Sequence, residues 1–133
     1  MARILVVEHV EELAEELRAA VGTGHETIPA ASRSDALRVL QVDIVDLVIT
    51  ALVLETGDYR EGLDVIRAAR ERNPAVQAII VTSYSTPATC REAIGVGVFD
   101  YIERNSPGLD FFEFLRCKIA LALVGHHHAG ATL

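Results

Sequence analysis

Tryptophan is missing from this chain, and aromatic residues make up only 5% of its 133 residues. Half of the residues are apolar and 23% are charged, so the chain is a globular sequence whose core must be built from aliphatic side chains. Positive charge is also scarce. Twelve Lys and Arg stand against nineteen Asp and Glu, for a net charge of -7, and the basic residues are scattered. Nucleic acid and anionic membrane surfaces, which need clustered cations, are therefore not expected as partners. The only cysteines, Cys90 and Cys117, are far apart, lack CxxC spacing and have no His nearby in sequence. They read as ordinary thiols rather than a disulfide or a nucleophile. With no signal peptide and no apolar run of membrane-spanning length, a cytoplasmic location is the expectation.

The length suits one compact unit over residues 1–124. The remaining stretch, "GHHHAGATL" at 125–133, carries three adjacent histidines without the fixed geometry of a metal site and is expected to be a flexible tail.

Within the unit, short β-branched runs alternate with segments of helical period. Strands are predicted over 3–7, 26–31, 46–53, 77–83 and 99–103. Helices are predicted over 11–21, 34–41, 62–72, 87–97 and 109–124. Thr86 before Pro87 and Ser106 before Pro107 place hydroxyl caps ahead of prolines suited to a first helical position. Five strands alternating with five helices imply a parallel sheet covered on both faces, and "ILVV", "LVIT" and "AIIV" are the unbroken apolar runs of doubly buried strands. The ligand crevice of such a sheet lies beyond the carboxyl ends of its strands. The turn after the first strand, "VVEHVEE", has no glycines to admit a pyrophosphate, which argues against nucleotide binding there.

The residues at those ends are Glu8 and His9, Ala51, Thr82 and Ser83, and Arg104 and Asn105. With "ILVVEH", "DLVITALVLE", "IIVTSY" and "DYIERNSP" in this order, the chain resembles the receiver domains of bacterial two-component response regulators over residues 3 to 124. The resemblance implies an α/β, three-layer, doubly wound five-stranded sheet of flavodoxin-like order 2-1-3-4-5. It also implies that Glu8 and His9 fall on the family's acidic pair, Ala51 on its phosphoacceptor aspartate, Thr82 on its switch hydroxyl, Tyr101 on its switch aromatic and Arg104 on its lysine. Phosphoryl transfer needs a carboxylate nucleophile and a metal ion held by acidic oxygens. A methyl group at position 51 supplies neither, so the expectation is a degenerate phosphorylation pocket of Glu8, His9, Ala51, Thr82 and Arg104. Its Mg2+ binding should be weak at most, with no other cofactor, no metal site and no enzymatic activity.

Two arrangements are open for Arg104: an ion pair with Glu8 that fills the vacated space, or a side chain in solvent. An alternative acceptor lies in the loop "ETGDYREG", at Glu55 or Asp58. In the last helix, Phe112, Leu115, Ile119 and Ala122 form one apolar stripe and Phe111, Phe114 and Leu121 a second. The second stripe, with Lys118, points to a protein partner or self-association on the fourth helix, fifth strand and fifth helix. The alternative is that Phe111 and Phe114 fold back on neighbouring loops.

Overall fold

The computed structural model describes residues 1–83, 85–105, 108 and 110–131, with side chains as far as Val124. Its elements run β1 (Arg3–Val7), α1 (Glu11–Val21), β2 (Glu26–Ala30), α2 (Arg33–Val42), β3 (Leu47–Thr50), α3 (Arg60–Arg72), β4 (Gln77–Thr82), α4 (Pro87–Val96), β5 (Asp100–Glu103) and α5 (Phe111–Ala131). The strands pair in parallel in the order β2-β1-β3-β4-β5.

Alternate side chains of each strand point to opposite faces, and this divides the core in two. Leu5, Val7, Val48, Ala78 and Ile80 pack under α2, α3 and α4. Ile4, Val6, Leu47, Ile49, Ile79, Val81 and Ile102 pack with Leu17 of α1 and with Leu115 and Ile119 of α5. The central strands β1, β3 and β4 are buried nearly throughout, whereas β2 and β5 are edges with mixed burial. Pro29 pairs with Val6 on edge strand β2, where a missing N–H is tolerated.

Local chemistry sets the boundaries. Ser32 caps α2 by accepting from Asp35 N–H at 3.1 Å. Thr86 and Thr89 form a reciprocal capping box with Pro87 at the start of α4, as expected. The cap expected at Ser106 falls on a residue outside those described. The start of α5 lies later than predicted, where the Asp110 carboxylate accepts from Glu113 N–H at 3.2 Å. At its other end α5 runs past Val124 to Ala131.

β3 is also shorter than predicted. After Ala51, whose N–H still donates to Val7, the backbone leaves the sheet, and its groups are taken up by α3 instead. Gly62 N–H donates to the Leu52 carbonyl at 2.9 Å, and the Glu61 carboxylate accepts from the N–H groups of Leu54, Glu55 and Thr56 at 3.1 to 3.3 Å. Leu52 and Leu54 stay buried, so an apolar run there does not mean a strand. The N-terminal turn of α3 sits so close to this segment that a Cβ on Gly62 would lie 2.1 Å from the Ala51 carbonyl oxygen.

Candidate functional site

Three backbone hydrogen bonds extend the ladders past the strand ends. Glu8 N–H donates to Ala30, Ala51 N–H to Val7, and Arg104 N–H to Thr82. They hold Glu8, Ala51 and Thr82 at the carboxyl edge of the sheet, around a pocket of about 170 Å³. Ser83 joins these three on its polar side, and the rest of the lining is aliphatic, from Val10, Leu13, Val53 and Val81. Glu8 is buried, at 7% exposed, and its carboxylate accepts from Val10 N–H at 3.3 Å.

Two of the five predicted pocket residues turn away from it. His9 is exposed, with Nδ1 3.3 Å from the Ala31 carbonyl, because the turn after β1 carries it towards the loop following β2. Arg104 neither pairs with Glu8 nor enters solvent, which overturns both arrangements considered for it. Its guanidinium forms an ion pair with Glu16 of α1 and lies 4.7 Å from the centroid of the Phe111 ring. The side chain is only 10% exposed, and Nη2 is buried without a hydrogen-bond partner. A half-exposed carboxylate on one side and an aromatic face on the other hold this cation better than a pocket with one acid would.

Thr82 is buried at the pocket's edge. The Tyr101 hydroxyl donates to Ser85 Oγ at 2.9 Å and lies 3.2 Å from Thr89 Oγ1, tying β5 to the N-terminus of α4. Glu55 is exposed, and the Asp58 carboxylate caps a turn by accepting from Arg60 N–H at 2.9 Å. Neither lines the pocket. Asp46 is at the far end of β3, where it accepts from Arg3 N–H.

On α5 the structure separates the second stripe. Phe111 and Phe114 are half-buried against the core, Lys118 pairs with Asp100 at 2.9 Å and sits over the Phe114 ring, and Leu121 is 50% exposed. Its hydrogen bond to Asp100 holds the Lys118 ammonium above its ordinary pKa. Ile94, Phe99 and Val124 add further exposed apolar surface on α4, beside β5 and on α5.

Glu61 and Gly62, which hold the segment after β3, were not distinguished in the sequence. The available signal was helical spacing: Glu61 stands four residues before Val65, and Gly62 four before Ile66, so both occupy the buried stripe of α3.

A (βα)5 sheet in this order, with chemistry gathered beyond β1, β3 and β4, defines a receiver-type α/β domain. The family described as response regulator receiver domain matches residues 4–113, and the chain belongs to it. Relatives include an NtrX-like response regulator of Rickettsia bellii, 29% identical over 76% of this chain and 21% of its own length. The photosynthetic apparatus regulatory protein RegA of Rhodobacter capsulatus is 30% identical over 76% of this chain and 53% of its own. The transcriptional regulatory protein ZraR of Escherichia coli is 30% identical over 83% of this chain and 23% of its own. The chain thus spans between about a fifth and a half of these relatives. Among solved structures, a CheY-like receiver domain protein of Methanospirillum hungatei superposes with a TM-score of 0.83 at 19% identity, covering 97% of this chain and 98% of that one.

The magnesium ion of the family's chemistry does not fit the residues present. A hard divalent cation needs several oxygen ligands in near-octahedral array, and this pocket offers one carboxylate. Among the described residues no group of three His, Cys, Asp or Glu could hold a metal ion. Among them, too, no helix is long and apolar enough to cross a membrane.

Proposed function

We propose that this chain is a pseudo-receiver: a non-enzymatic signalling domain that acts through protein–protein contact without taking up a phosphoryl group. One observation carries the reading. The side chain that the β3 end presents to the pocket is the methyl of Ala51, so the pocket has no carboxylate at the position where the family's acceptor stands. The two expected pocket residues that turn away also support it, since His9 faces the Ala31 carbonyl and Arg104 is held by Glu16 and Phe111. No cofactor is assigned, and Mg2+ binding is weak at most.

The contact surface in this reading is the α4-β5-α5 face, occupied by a protein partner or a second copy in the cytoplasm. Leu121 and Val124 of α5, Ile94 of α4 and Phe99 before β5 are exposed on it, while Phe111, Phe114 and Lys118 of α5 are partly buried. Incubation with acetyl phosphate and Mg2+, followed by intact-mass measurement, tests the proposal. The mass is expected to stay unchanged. A stable gain of one phosphoryl group, mapped to any pocket residue or to Glu55 or Asp58, would overturn it.

A further inference from the structure

We infer that the pocket at the carboxyl ends of β1, β3 and β4 is a binding site for a primary alkylammonium group, with Glu8 as its counter-ion. The inference rests on the pseudo-receiver reading and names the ligand class of the site that reading leaves behind.

Glu8 is a buried carboxylate that lines the pocket. Among the described residues a single hydrogen bond reaches it, the 3.3 Å donation from Val10 N–H, and no ion pair does. A carboxylate withdrawn from water with so little compensation is costly, and a cation beside it removes the cost. No Lys, Arg or His lines this pocket. The one strand-end cation that stood in reach, Arg104, is spent on Glu16. The pocket therefore carries one negative charge with no cation in its lining: an anion would meet Glu8 with no counter-charge, and a cation would find one.

The walls select among cations. Mg2+ sheds its water reluctantly and demands oxygen ligands that aliphatic walls do not supply. An ammonium on an alkyl stem suits both parts of the lining, because the stem buries against the four aliphatic side chains while the head donates hydrogen bonds. Its three N–H groups can be shared between the Glu8 carboxylate and the hydroxyl oxygens of Thr82 and Ser83. At the roughly 30 Å³ that one water occupies in the liquid, 170 Å³ holds about five heavy atoms, the size of a butylammonium ion or the end of a lysine side chain. The amine can come from a free alkylamine or from a lysine on a protein partner.

Titration of the 15N-labelled protein with n-butylammonium chloride and, separately, with doubly blocked lysine distinguishes these sources by which binds more tightly. Saturable shifts are expected at the amides of Glu8, Ala51, Thr82 and Ser83, and not with tetramethylammonium or with the ε-acetylated blocked lysine. Glu8→Gln, which keeps the shape, is expected to weaken binding at least tenfold, and Ala51→Val, which fills the space, to do the same. Unchanged binding in Glu8→Gln, absence of saturable shifts, or Mg2+ moving the same amides at lower concentration would overturn the site. Phosphoryl uptake is read by mass alone, so failure of amine binding with no mass gain rejects this inference and leaves the pseudo-receiver reading standing.

Discussion

Glu61 shows what a single buried carboxylate can do when the backbone supplies its partners. It is 1% exposed, and burial alone pushes its pKa up. Hydrogen bonds from the N–H groups of Leu54 and Thr56, the Thr56 hydroxyl and Glu55 N–H outweigh that, and the net position is below the ordinary carboxylate value. Glu61→Ala strands these donors in a segment with no sheet partner, and urea unfolding should show a loss of about 2–4 kcal/mol. Because the folded pKa is depressed, the stabilisation is complete above the unfolded value of about 4.3 and disappears as pH falls through the folded value. Urea midpoints measured from neutral to acid pH should therefore fall more steeply for the native protein than for Glu61→Gln; parallel profiles would refute the assignment. Gly62 is the second constraint. A methyl there meets the Ala51 carbonyl at 2.1 Å, so Gly62→Ala should cost about 3 kcal/mol or more through displaced backbone.

At the scale of elements, Arg104 and Glu16 join β5 to α1 across 88 residues of sequence. Glu16→Ala leaves a nearly buried guanidinium without its counter-charge, whereas Arg104→Met keeps an apolar stem against Phe111. The first change should destabilise more than the second, with a coupling of about 1–3 kcal/mol in the double-mutant cycle, and a coupling near zero would show the pair to be inert. Thr86→Ala, which removes the capping box of α4, should cost about 1 kcal/mol by thermal unfolding. The elements were largely legible in the sequence, because β1, β3 and β4 are aliphatic runs buried on both faces and the helical stripes follow the core. The end of β3 was not, since Leu52 and Leu54 are apolar yet packed under α3. The place of position 51 at the carboxyl edge was legible from the alternation of strands and helices, and its match to the family's acceptor position came from the resemblance of "DLVITALVLE" to the receiver strand. The directions of His9 and Arg104 were not legible, because they depend on Ala31 and Glu16, residues remote in sequence that meet only in the folded chain.

For the whole molecule, two faces of the sheet are closed by helices, and among the described residues the exposed large apolar side chains divide between the α4 and α5 side, with Ile94, Phe99, Leu121 and Val124, and Met1, Val10, Val42 and Ile44 elsewhere. Leu121→Glu should leave folding stability within about 0.5 kcal/mol, since the side chain is half exposed, while abolishing any self-association seen by light scattering over a concentration series. An unchanged association in that variant would move the contact to another face.

The placing of β1 between β2 and β3 bears on how the chain comes off the ribosome. Residues 3–7 leave the tunnel long before their inner neighbour at 47–50 exists, so the nascent segment is held first by an edge strand alone. The clasp between Arg104 and Glu16 can close only after β5 has emerged. Stalled nascent chains that end before residue 104 should thus keep α1 loosely docked and open to protease.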